Sequence, residues 1–166
     1  MSNKEILLKG TVVFNPINVT KKHNKQSYWK RVAMVVFEGD MSSYYSWFIF
    51  KRYGVILNQP LRNSHITFVN DSIREIVGGD TKWEEVRKEW DGKEIEITLN
   101  LDARNNSEYW WLKSNSEIFE VIRGQLGLGK PYFNYHMTIG YANERNIEHA
   151  TYIQDLIEKF GGEYAI

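Results

Sequence analysis

Cysteine is absent from all 166 residues, so the chain has no disulfide, no thiol nucleophile and no thiolate metal site. Net charge is absent as well. Twenty-one Lys plus Arg balance 21 Asp plus Glu, and no overall field draws the molecule onto long duplex nucleic acid or an anionic membrane. Any phosphate binding therefore has to be local. No apolar run approaches the roughly 18 residues of a membrane span, and the opening MSNKEILLKG lacks the long apolar stretch of a signal peptide. Neither a linker nor a low-complexity block divides the chain. These absences predict one soluble, cytoplasmic domain over residues 1–166, with no membrane and no obligatory protein partner. Core formers are plentiful, with 42% apolar and 14% aromatic residues, enough for a packed interior at this length.

The pattern alternates strands with helices. EILLKGTVVF reads as a strand or bent pair, followed by the polar NPINVTKKHNKQS as an exposed loop. RVAMVVF reads as a buried strand. Asp40 can cap a helix over SSYYSWFIFKRY that stops at Gly54, and HITFVN is the next strand. TKWEEVRKEW, opened by Asp80 and closed by Gly92, suits a charged surface helix, while KEIEITLNL and EYWWLKS suit a hairpin joined at DARNNS. A helix over SEIFEVIRGQL, a strand over HMTIGYA and an amphipathic helix over IEHATYIQDLIEKF complete the chain.

Histidine is also scarce, at four residues, and two of the four stand in matching contexts. Sliding the sequence by 71 positions aligns residues 46–67 with 117–138 and gives identities at Phe48/Phe119, Arg52/Arg123, Leu57/Leu128, Pro60/Pro131, Asn63/Asn134, His65/His136 and Thr67/Thr138. Residue frequencies alone give about one or two. Four of the identities form one motif, P-x-x-N-x-H-x-T. The expectation is a duplicated α+β domain, with motif halves at about 31–71 and 93–142. Each half is a strand, a helix, a turn and a second strand bearing the motif.

Strand alternation puts Asn63, His65 and Thr67 on one face and Ile66 and Phe68 on the other; Asn134, His136 and Thr138 oppose Met137 and Ile139 likewise. If the halves pack about a pseudo-twofold axis, both polar faces line one cleft. Imidazoles with an ordinary pKa of about 6.5 suit acid and base work on a phosphoester at neutral pH. Thr67 and Thr138 hydroxyls can hold the nonbridging phosphate oxygens. The scheme requires neither metal nor cofactor.

The tetrads HITF and HMTI both fit H-h-T-h, with h hydrophobic, and on them the chain resembles the two-histidine (2H) phosphoesterase superfamily, including its LigT-like RNA phosphodiesterases. The resemblance covers roughly residues 31–141. It implies two lobes, each an antiparallel sheet with a packed helix, and an active-site cleft between them. It also implies substrates with a ribose phosphodiester: cyclic nucleotides or cyclic oligonucleotides, RNA ends with a 2′,3′-cyclic phosphate, or 2′,5′-linked nucleotides. Compact phage members that degrade the cyclic oligonucleotide signals of antiphage defence look similar. A protein that sequesters such a nucleotide without cutting it is the competing class.

Substrate contacts are expected from Arg62 beside His65, from Tyr132, Phe133 and Tyr135 beside His136, from Lys130 ahead of Pro131, and from Trp29 with Lys30 and Trp47 further away. Asn63 and Asn134 are expected to serve their turns, Asp71 to cap a helix, and Tyr109, Trp110 and Trp111 to pack a hairpin. His23 and His149 are expected at the surface. GQLGLGKP fits the front of a P-loop, but Pro131 stands where Ser or Thr should hold magnesium and the glycines follow a helix, so a helix stop and turn is the better account.

Overall fold

A computed structural model of the chain describes residues 4–19, 26–60, 62–71, 73–143 and 146–160. Its strands are β1 (Glu5–Phe14), β2 (Ile17–Val19), β3 (Gln26–Tyr28), β4 (Ala33–Val36), β5 (Leu57–Asn58), β6 (His65–Val69), β7 (Glu94–Asn100), β8 (Arg104–Asn105), β9 (Tyr109–Asn115) and β10 (His136–Ala142). The helices are α1 (Met41–Tyr53), α2 (Gly79–Trp90), α3 (Glu117–Gln125) and α4 (Ile147–Phe160). The fold is α+β with antiparallel pairing throughout.

Six strands close on themselves in the order β10, β6, β4, β1, β7, β9 and back to β10, forming a barrel. β5 extends the β10 edge, β8 extends β9, and β2 with β3 form a separate ribbon. The two antiparallel sheets that the resemblance implies are therefore one continuous sheet. Two seams join its parts: β1 runs along β7 from Glu5↔Asn100 to Thr11↔Glu94, and β6 meets β10 at Ile66↔Met137. The ribbon lies within the segment expected to be only loop, where Ile17↔Tyr28 and Val19↔Gln26 pair; His23 lies outside the described residues.

Alternation decides which side chains fill the core. Val12 and Phe14 of β1, Ile95, Ile97 and Leu99 of β7, Trp110 and Leu112 of β9, and Met137 and Ile139 of β10 are all buried at every second position. β1 must come close to β4, and Gly10 allows it: a Cβ there would overlap Val35 Cγ1 and Phe37.

The boundaries of α1 follow the capping expected at Asp40 and Gly54. Asp40 accepts the Ser43 N–H at 3.1 Å and Gly54 ends α1 in the left-handed conformation at φ 68°. Ser116 caps α3 by accepting from Ile118 N–H. At α2 the expectation fails, because Gly78 is the cap and supplies no side chain. Asp80 sits inside the first turn, where it pairs with Arg31 at 2.6 Å and favours the positive helix end. Asp71 holds Arg123 with two contacts, of 2.7 and 3.1 Å; the cap expected of it would fall on Ser72, outside the described residues.

Candidate active site

β6 and β10 bring the two tetrads side by side. With Ile66 opposite Met137 in an antiparallel pair, His136 falls across from Thr67 and Thr138 across from His65, and the two histidines become diagonal neighbours, residues that sit ~7–8 Å apart with their Cβ atoms somewhat closer. His65, Thr67, His136 and Thr138 all line one cavity of about 590 Å³. Ile66, Phe68, Met137 and Ile139 turn the other way and are fully buried.

Each imidazole has the same anchor. Nδ1 of His65 lies 2.7 Å from the Asn63 carbonyl, and Nδ1 of His136 lies 2.7 Å from the Asn134 carbonyl. A carbonyl only accepts, so Nδ1 carries the proton in both rings and Nε2 is left for other chemistry. The two asparagines thus serve through their backbone. Neither threonine hydroxyl is bonded to a described residue.

A buried serine pair ties the motif strands together. Ser64, the residue before His65, accepts the Ser42 N–H at 3.1 Å, the two hydroxyls are 3.0 Å apart, and Ser42 Oγ donates to the Thr138 carbonyl at 3.2 Å. The start of α1 is thereby pinned to both tetrads. The sequence reading missed this pair; only the adjacency of Ser64 to His65 hints at it.

The flanks of the cavity differ. Beside His65, the Arg62 guanidinium stacks on the Trp29 ring at 3.5 Å from its centroid, and both groups line the cavity with Lys30, Val32 and Asn70. Across the strand pair lie Val36, opposite His65, and Met34, opposite Thr67. A smaller apolar hollow of about 250 Å³, walled by Val13, Pro16, Ile17, Met34 and Val36, opens on this side. Desolvation by these neighbours pushes His65 below the ordinary imidazole range; the Asn63 bond opposes the shift, while the Arg62 and His136 charges add to it. Beside His136, Tyr132 and Phe133 meet edge to face at 5.1 Å and line the cavity, Tyr132 being 82% exposed. Trp111, opposite Thr138 on β9, brings its ring 6.3 Å from that of His136. Its neighbour Trp110 is core.

Three expected contacts fall elsewhere. Trp47 is exposed on α1 beneath Lys51 and does not line the cavity. Tyr135 turns inward: its hydroxyl donates to Glu120 at 2.9 Å, its ring packs on Phe119, and burial with that bond pushes its pKa up. Strand parity is the reason, since Tyr135 and Met137 share the buried face. Lys130 lies in a neighbouring cavity. His149 is at the surface, 3.0 Å from the Tyr53 carbonyl. Among the described residues, no three His, Asp or Glu side chains gather as metal ligands, and no helix is long and apolar enough to cross a membrane. Comparison with protein-family models, curated proteins and solved structures returns no match.

Proposed function

We propose that the chain is a 2H-type phosphodiesterase acting on cyclic nucleotides or cyclic oligonucleotides by histidine acid–base catalysis. The single observation carrying this reading is the repeated anchor: two Nδ1–H groups tied to carbonyls two residues upstream, leaving both Nε2 atoms for one cavity that also holds two threonine hydroxyls bonded to no described residue. A phosphodiester seated there has its nonbridging oxygens held by Thr67 and Thr138. His65, kept neutral by its apolar flank, takes the proton of a ribose 2′-hydroxyl. The hydroxyl oxygen then bonds to phosphorus, and the bond to the 5′ oxygen breaks as His136 delivers a proton to it. For a terminal cyclic phosphate, water takes the place of the 2′-hydroxyl. No step requires a metal.

The neutral overall charge and the aromatic walls favour short nucleotides over long RNA, since a long strand needs a basic track. Two pseudo-symmetric lobes, one per motif, and a cytoplasmic site of action are part of the same reading. So is a role against nucleotide signals of antiphage defence.

The test is turnover in the presence of EDTA, with a panel of cyclic mononucleotides, cyclic dinucleotides and oligonucleotides ending in a 2′,3′-cyclic phosphate, followed by chromatography of the products. His65→Ala and His136→Ala should each lower kcat by about 10²–10⁴ while leaving the far-UV spectrum unchanged. Tight binding by the wild type with no product formed would identify a nucleotide-sequestering protein instead.

A further inference from the structure

A second cavity, of about 420 Å³, begins where the catalytic one ends, within the range of small-ligand pockets. Phe133 lines both. Asn134, whose carbonyl anchors His136, lines the second. In the β9–β10 register Lys113 lies directly across from His136, so the two side chains project from the same face and the groove continues from imidazole to ammonium. Lys130, on the turn before Pro131, reaches the same cavity. Neither ammonium is ion-paired with a described residue.

The rest of the lining is neither apolar nor uniformly basic. Asn100, Asn115 and Asn134 offer amides, and Glu5 and Glu120 offer carboxylates, the latter already accepting from Tyr135. A bare polyanion fits poorly against two carboxylates. A nucleoside phosphate fits well, because the lysines can take its phosphate while amides and carboxylates meet the donors and acceptors of base and sugar.

We infer that this cavity is a second nucleotide subsite, in which Lys113 and Lys130 hold a phosphate one nucleotide away from the one between the histidines. The inference rests on the phosphodiesterase reading and narrows it to substrates with two phosphates, such as dinucleotides, linear or cyclic.

The experiment is calorimetric binding to the His65→Ala/His136→Ala protein, which consumes nothing, with and without Lys113→Ala and Lys130→Ala. The probes are AMP, the linear dinucleotide pApA and inorganic pyrophosphate. Without the lysine changes, pApA should bind at least ~10-fold tighter than AMP, as expected of a second charge-assisted contact worth about 1.4 kcal/mol. The lysine changes should erase that preference, with the far-UV spectrum confirming the fold. A preference that survives them, its absence from the start, or pyrophosphate binding as tightly as pApA overturns the subsite. Turnover of wild type on the full panel is scored separately: products with no lysine-dependent preference end the subsite alone, whereas no products from any substrate end the catalytic reading.

Discussion

His65 and His136 share an anchor but not their surroundings. His65 faces Val36 and the Arg62–Trp29 stack, whereas His136 faces Lys113, Trp111 and solvent. The difference is measurable in pH dependence. Because burial lowers the folded-state pKa of His65, the unfolded chain binds the extra proton more readily between that value and about 6.5. Stability from this group is complete above about pH 6.5 and is lost as pH falls through the folded value. Urea midpoints from pH 7.5 down to 5 should decline, and His65→Gln should flatten part of that decline. On the proposed acid–base reading the same depressed pKa sets the acidic limb of kcat/KM, which should therefore lie below the pH at which a free imidazole titrates. The motif made this pair legible before any coordinates, because H-x-T at period two dictates a shared face. The Ser42–Ser64 contact was not legible, since 22 residues separate partners that only the fold brings within 3.0 Å.

At the scale of elements, the two halves agree in the motif and diverge around it. Both run strand, helix, strand: β4, α1 and β6, then β9, α3 and β10. Yet Phe119 is buried and stacked on Phe68 at 4.8 Å while its counterpart Phe48 is 36% exposed. Arg123 is 1% exposed and clamps α3 to the end of β6 through Asp71 and the Phe68 carbonyl, whereas Arg52 lies over the Tyr53 ring. Arg123→Met would leave the Asp71 carboxylate, itself 10% exposed, without its counter-ion, at a cost of about 3–5 kcal/mol. Adding Asp71→Asn should recover a good part of that loss, as read from denaturation midpoints. β10 shows a second local constraint: a Cβ at Gly140 would meet the Asn58 carbonyl oxygen at 2.5 Å. Gly140→Ala should therefore displace β5 and cost about 1–3 kcal/mol, with amide exchange rising first at Leu57 and Asn58. Asp80 was misread as a cap because sequence proximity to a helix start cannot reveal a cation arriving from another element.

At the scale of the whole molecule, one hydrophobic cluster takes residues from β1, β4, β6, β7, β9 and β10 together. The barrel closes only when β1 pairs with β7 and β6 with β10, and both seams join a strand before Gly92 to a strand after it. The protein should therefore unfold in a single transition, with tryptophan fluorescence and far-UV ellipticity coincident. Fragments 1–92 and 93–166 should each lack dispersed amide resonances when expressed alone and gain them on mixing.

The sequence by itself determined the α+β class, the start and stop of α1 at Asp40 and Gly54, and the residues that share the cavity-lining face, because capping and strand alternation are local rules that a chain obeys wherever it sits. Tertiary structure alone decided that two sheets become one barrel, that Trp47 and Tyr135 stand away from the cavity, and that Lys130 lies in its neighbour. Those outcomes depend on which strands pair and which face of each turns inward, and free energy for that choice comes from apolar burial summed over contacts far apart in the chain.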